Sequence, residues 1–344
     1  MAGKYSKKPP KKSSSLKRKL LIALCVILVI ILVGLVAVYI WADSFLSSIE
    51  RFDEDQTYNT ETLEGIDPTD TNPIIDQAQS ITAGKNVVNI LLVGQDRRSG
   101  EGRMHSDAMI LCTINKKTKT LTMTSFMRDM WVYIPDHYNE RINVPYMVGG
   151  FDLLNETLDY NFGVSADYNV EIDFSGFMSA IDMVGGVEIE LSGSEARYLN
   201  RRGNWDVETN CNWDLVEGVN KLTGSQALAY SRIREIGDDF ARTNRQRTVL
   251  TKLINKAMSL KTAELYDLVK AMIPMISTDM SNGEIMALAL EMVPMLSDLK
   301  LVSQRIPMDG EFSFANKGGA SVIALSESNF EANIALLTEA MKED

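Results

Sequence analysis

Among 344 residues there are only two histidines, His105 and His137, and three cysteines, Cys25, Cys112 and Cys211. That poverty excludes a His/Cys cage for zinc and a disulfide scaffold. Any resident metal is expected to be a hard cation held by carboxylates. There is no excess of positive charge either: 35 Lys and Arg stand against 46 Asp and Glu, a net charge of −11. A general nucleic-acid binder would show a basic face, so that class is set aside. No internal repeat is visible. With 45% apolar and 24% charged residues the chain is neither disordered nor collagen-like, and its length allows one large domain or two small ones.

The charge that is present is unevenly spread. Residues 1–19 carry eight Lys and Arg and no acid, and residues 20–41 are 22 residues without a charge. As a helix that run spans roughly 33 Å, the thickness of a bilayer core. Tyr39 and Trp41 stand at its far end, where amphipathic rings favour the interface. A cleaved signal peptide would have a shorter apolar core and a small-residue cleavage site, and a buried helix would show a polar face. A retained single-pass anchor is therefore expected, with the basic tail in the cytoplasm and the C-terminal domain outside the cell membrane. Residues 42–85 have a net charge of −8, with Pro68 and Pro73, and read as a stalk. Residues 86–344 have a net charge of −11 and are expected to form the outer domain.

Hydrophobic patterning in the outer domain predicts strands over 87–93, 108–114, 120–126, 131–134, 168–174, 187–191 and 299–306. The polar tract 115–118 reads as a hairpin turn. Helices are predicted over 151–160, after Gly149-Gly150, and over 176–184, 225–229, 240–259, 263–275, 282–296 and 327–341. The alternation gives an α/β domain, with helices covering a central sheet. Cys112 reads as a small core residue. A bond between Cys112 and Cys211 is left open. The 18 methionines concentrate between residues 272 and 295. Their flexible thioethers suit an adaptable lipid pocket, but a plain methionine-rich core is the favoured reading for those helices.

Four clusters carry chemistry. Asp96 ends the first strand and Asp107 begins the next. Two carboxylates at neighbouring strand ends suit Mg²⁺, which takes one or two carboxylates plus substrate phosphates, although strand-end aspartates also cap turns. Arg128-Asp129 follows the third strand. In Tyr230-Ser231-Arg232-Ile233-Arg234, an extended backbone would put Arg232 and Arg234 on one face, where guanidinium forks suit phosphate oxygens. Finally, Asp239, Arg242 and Gln246 open the longest helix. Arg242 and Gln246 share a face at i and i+4, and Val249 and Leu253 continue the stripe into core. Cations at a helix N-terminus oppose the macrodipole unless an anion is bound. Any one arginine could be an ordinary salt bridge; together they point to a phosphate site.

The segments NILLVGQDRRSGEGRMHSDAMILCTIN, SFMRDMWVYIP, INVPYMVGG, IDMVGGVEIEL and ALAYSRIREIGDDFARTNRQRTVLTKL, in this order and behind an anchor, resemble the LytR-CpsA-Psr family over about residues 86–256. The resemblance implies an α-β-α domain with a central mixed sheet, preceded by one transmembrane helix. It also implies a Mg²⁺-dependent phosphotransferase of the Gram-positive envelope. Such an enzyme moves an anionic glycopolymer, such as teichoic acid or capsule, from a polyprenyl pyrophosphate lipid onto peptidoglycan. Asp96 and Asp107 match the family's acidic positions around Mg²⁺. Arg98, Arg128, Arg232 and Arg234 match its pyrophosphate-binding arginines, and Asp239, Arg242 and Gln246 its third block. Either Asp96 or Asp239 could serve as the base. Two departures stand out. His105 fills the place of the usual Arg before Ser-Asp, with Arg103 nearby as a substitute, and Phe126-Met127 replaces Ile-Pro before Arg128-Asp129. A non-catalytic lipid- or polyanion-binding regulator and a structural envelope protein are the alternatives; neither needs Asp96 and Asp107.

Overall fold

The computed structural model describes residues 40, 42–51, 71–95, 103–201, 213–237, 239–317 and 319–342. The expected anchor over 20–41 lies outside these, save for Ile40. So do Asp96, Arg98 and Cys211. Among the described residues no helix is long and apolar enough to cross a membrane. The chain divides into two compact units, 1–48 and 49–344. In the first, residues 42–46 are helical. The second carries everything that follows.

Its centre is a seven-stranded mixed sheet. The strands are β1 (Glu50–Arg51), β2 (Val87–Gln95), β3 (Ser106–Asn115), β4 (Thr120–Phe126), β7 (Tyr168–Asp173), β10 (Ile276–Thr278) and β11 (Lys300–Ile306), in the order β1-β10-β7-β2-β3-β4-β11. β2 runs antiparallel to β3 and parallel to β7, and β4 runs parallel to β11. Three two-stranded pieces flank it: β5 (Trp131–Tyr133) with β6 (Asn139–Arg141), β8 (Val187–Leu191) with β9 (Gly218–Leu222), and β12 (Ser313–Lys317) with β13 (Ala320–Ala324).

The helices are α1 (Val144–Phe162), α2 (Phe174–Met183), α3 (Gly193–Leu199), α4 (Gly224–Ser231), α5 (Asp239–Met258), α6 (Thr262–Met272), α7 (Asn282–Met292) and α8 (Glu327–Ala340). Alternation in β2 assigns its two faces. Leu91 and Val93 join Met109, Leu111, Tyr146, Leu154, Phe162, Phe330 and Leu337 in a core under α1 and α8. Val88, Ile90 and Leu92 face the other way, with Ile110, Cys112, Met123 and the α5 residues Leu250 and Ile254. The expected three-layer α-β-α arrangement is thus present. α5 is shared between two cores. Its Val249 is fully buried with β8, α3 and α4, and Leu253 packs against the same cluster.

Several boundaries move. α1 begins seven residues earlier than expected and contains a kink at Gly149-Gly150, where Gly150 has φ +65° and ψ −148°. That backbone region is essentially restricted to glycine. Residues 71–85, read from composition as stalk, lie along the domain instead. Ile74, Ile75, Ile81 and Ala83 pack on the first core, and the amides of Ala78 and Ile81 donate to the carbonyls of Tyr160 and Gly163. Cys112 is a buried free thiol, pushed up to about 12 by burial, in keeping with a core role.

Candidate active site

The ladder between β2 and β3 slips by one residue at its end. Gly94 pairs with Ala108 but Gln95 pairs with Ser106, which leaves Asp107 as an extra, unpaired residue. Such a bulge re-aims a side chain. Asp107 here lines a cavity and accepts a hydrogen bond from Arg128 Nη1 at 2.9 Å. Arg128 follows β4, and its Nε lies 3.5 Å from Asp129 and 3.8 Å from Asp239. Asp239 in turn forms an ion pair with Arg242, one turn along α5. Two arginines and three carboxylates from three separate segments therefore form one chain of charges.

Burial shapes this chain. Arg242 is 5% exposed. Desolvation raises the Asp239 carboxyl above its ordinary value; Arg242 opposes the rise and Asp129 adds to it. Asp239 Oδ2 and Arg128 Nε are buried with no hydrogen-bond partner among the described residues. His105 is held below the ordinary imidazole value, by burial first and then by Arg141, so it brings no positive charge to the cluster at neutral pH.

The cavity has a volume of about 450 Å³ and grades from polar to apolar. Along α5 its lining reads Arg242, Gln246, Leu250, one residue per turn; along the sheet it reads Asp107, Ala108, Ile110 and Gly94, Val93, Leu92. Arg232 and Arg234 line the cavity too, and Phe174, Phe177, Tyr198 and Leu228 supply much of its apolar wall. The two arginines reach it differently from the extended face considered above. Tyr230 and Ser231 end α4, and Arg232 caps it with φ −101° and ψ 0°. The Arg232 guanidinium stands 4.8 Å over the Phe174 ring, while Arg234 is exposed. α4 can lie this close to α2 because Gly224 has no side chain; a Cβ there would strike the backbone carbonyl of Met178.

Of the residues singled out in the sequence, Asp107, Arg232, Arg234, Arg242 and Gln246 line one cavity, and Arg128 and Asp239 join it through ion pairs. Arg103 does not line it: its guanidinium lies 5.7 Å from the Tyr146 ring and against Gly150. None of the methionines between 272 and 295 lines it. Asp129, noted in the sequence beside Arg128, joins the chain of charges; the aromatic wall of Phe174, Phe177 and Tyr198 was not singled out, because no local pattern marks residues that come together only through the fold.

A carboxylate, an unpartnered buried carboxylate oxygen and a surplus of guanidinium groups fit a hard cation that also takes phosphate oxygens. Among the described residues no three His, Cys, Asp or Glu gather as a cage, so Asp107 would need phosphate oxygens and further oxygen ligands to complete such a site.

The fold has known counterparts. The chain matches the LytR_cpsA_psr family over residues 51–336 and belongs to it. It is 32% identical over 188 residues to the Bacillus subtilis (strain 168) polyisoprenyl-teichoic acid–peptidoglycan teichoic acid transferase TagT. That stretch covers 54% of this chain and 57% of TagT. It is also 32% identical over 178 residues to the regulatory protein MsrR of Staphylococcus aureus (strain COL), covering 51% of this chain and 50% of MsrR. The chain thus matches only about half the length of these relatives. The same fold is seen in the family protein YwtF (TagT) with bound octaprenyl pyrophosphate lipid, with a TM-score of 0.57, 23% identity and coverage of 83% of this chain and 97% of that one.

Proposed function

We propose that this chain is a membrane-anchored phosphotransferase that moves an anionic glycopolymer from a polyprenyl pyrophosphate carrier to peptidoglycan. The observation that carries this reading is the graded cavity: Asp107, Arg232, Arg234, Arg242 and Gln246 at one end and Leu92, Ile110, Phe177 and Leu250 toward the other. A diphosphate on a hydrocarbon tail has that same gradation. The tail matches the apolar wall, and the phosphate oxygens match guanidinium forks. The likeness to a teichoic acid transferase and to a fold that holds octaprenyl pyrophosphate supports the same substrate class.

In the reaction, an acceptor hydroxyl forms a bond to the phosphorus that bears the polymer. The bond from that phosphorus to the bridging oxygen breaks, and polyprenyl phosphate leaves. The hydroxyl proton passes to a carboxylate. Asp239 suits this role, because burial raises its carboxyl toward the working pH. Arg232, Arg234 and Arg242 stabilise charge on the phosphate oxygens. Mg²⁺, held by Asp107 with Asp96, would supply Lewis-acid stabilisation of that charge. Arg128 holds Asp107 and Asp239 in register.

The test is incubation of the full chain, in detergent, with a polyprenyl-pyrophosphate-linked glycopolymer, Mg²⁺ and peptidoglycan fragments. The expected result is polyprenyl phosphate release with polymer attached to the fragments, lost on chelation. Binding without turnover would favour a lipid-binding regulator; MsrR is named a regulatory protein. No binding of the lipid would remove both readings.

A further inference from the structure

Arg245 stands on α5 between Arg242 and Gln246 in sequence but points away from the cavity that they line. Its side chain is 6% exposed, and it is spoken for on every side. Nε donates to Glu195 Oε1 at 2.7 Å, Nη1 to the carbonyl of Ile233 at 3.2 Å and Nη2 to the carbonyl of Ile236 at 2.7 Å. Tyr230 lies beside the guanidinium, 5.9 Å from ring centre to Cζ. The two carbonyls bracket Arg234 and Glu235, both exposed, in the segment that leaves α4 and turns at Gly237. Ile233, fully buried, is the apolar anchor of that segment.

Glu195 is held just as firmly. Its other oxygen closes a capping box, accepting from Ser192 N and Ser192 Oγ, both at 2.9 Å. Burial alone would raise its carboxyl; the bonds from Arg245 and Ser192 outweigh this and hold it below the ordinary value. A charged fork fixed to α5 on one side and to the N-terminus of α3 on the other thus grips the backbone on which the cavity's two α4-side arginines are mounted.

We infer that Arg245, seated on Glu195, is the positioning residue for the phosphate-binding pair Arg232 and Arg234. Removing it frees the 232–237 backbone and disperses those guanidinium groups without touching the apolar wall. The geometry calls for arginine: only a planar fork reaches one carboxylate and two carbonyls at once, and a lysine ammonium at the same place would have to abandon at least one of them. The inference rests on the proposed pyrophosphate role of the cavity, and deepens it.

The test compares the full chain with its Arg245→Met and Arg245→Lys variants for binding of octaprenyl pyrophosphate and of the corresponding prenyl alcohol, with circular dichroism to establish folding. In Arg245→Met, pyrophosphate affinity is expected to fall by about tenfold or more, the effect of losing charge-assisted hydrogen bonds. Alcohol affinity should stay unchanged, and Arg245→Lys should fall between. A second readout is coupling. Arg232→Ala should weaken pyrophosphate binding strongly in the natural chain but little further in Arg245→Met, because dispersed groups have nothing more to lose. Equal losses for pyrophosphate and alcohol, or additive effects of the two substitutions, would overturn the inference while leaving the cavity's role intact. A natural chain that does not prefer pyrophosphate to alcohol overturns both.

Discussion

Arg128 Nη1 and Asp107 Oδ1 meet at 2.9 Å, and the contact joins the second residue after β4 to the bulged residue of β3. It is also the crossing point of the charge chain, since the same guanidinium lies 3.8 Å from Asp239. Replacing Arg128 by Met would leave Asp107, Asp129 and Asp239 without their shared counter-charge. All four side chains keep some contact with water, so the stability loss should be about 1–3 kcal/mol rather than that of a fully buried pair. Urea unfolding measures it. Transfer should fall by about two orders of magnitude or more. A variant as stable and as active as the natural chain would show that Arg128 organises nothing.

The raised Asp239 carboxyl makes two predictions of opposite sense. Between the ordinary aspartate value and its own raised one, the folded chain keeps a proton that the unfolded chain has released. This group's contribution to stability is therefore full in acid and is lost as pH rises through the folded value. Transfer should do the reverse and rise over that interval, as the base becomes available. A pH–rate profile with its acid limb above the ordinary aspartate range, absent in Asp239→Asn, is expected. A limb that survives in Asp239→Asn would assign the base elsewhere.

The expected architecture held where the hydrophobic period was long and regular. β2, β3 and β4, the long helix α5 and the closing helix α8 were legible within a residue or two, because each buries a continuous face. Among the short pieces, β5, β8 and α4 were legible as well, while β6, β9, β10, β12, β13 and α3 were not. β10 is three residues that acquire strand geometry by pairing with β7, and α3, β6, β12 and β13 are too brief to show a period. In the site, charge-bearing residues were legible one by one. What the residues could not show was which of them share a wall: Arg103 is adjacent in sequence to the right place but folds back on Tyr146, while Tyr198 and Phe177 enter the cavity from positions outside every motif.

Leu250 sits three turns along α5 from Asp239, on the apolar side of the gradation and only partly buried. Leu250→Trp should narrow the wall. Affinity for a long-chain prenyl pyrophosphate is expected to drop by about tenfold, while binding of a short-chain analogue is kept; the comparison is made by titration calorimetry. A long-chain affinity unchanged from that of the natural chain would place the tail elsewhere.

Cys112 offers a check on packing that is independent of function. With its thiol pushed up to about 12 by burial between the sheet and α5, it should resist iodoacetamide at neutral pH in the folded chain and react on unfolding. Mass spectrometry of the Cys112 peptide reads the outcome. Rapid labelling of the folded chain would mean that the face between sheet and α5 opens readily.

The slipped pairing at Gly94 and Gln95 carries a consequence of a different kind. A strand's faces alternate with every residue, so the extra residue at Asp107 sets which way Ser106 and everything ahead of it turn. Removing a single residue from that stretch would restore an unbroken ladder and roll Asp107's position onto the opposite side, away from Arg128. Every functional side chain could still be present in the chain. No exchange of one amino acid for another at the neighbouring positions would then restore the site; only reinserting a residue would.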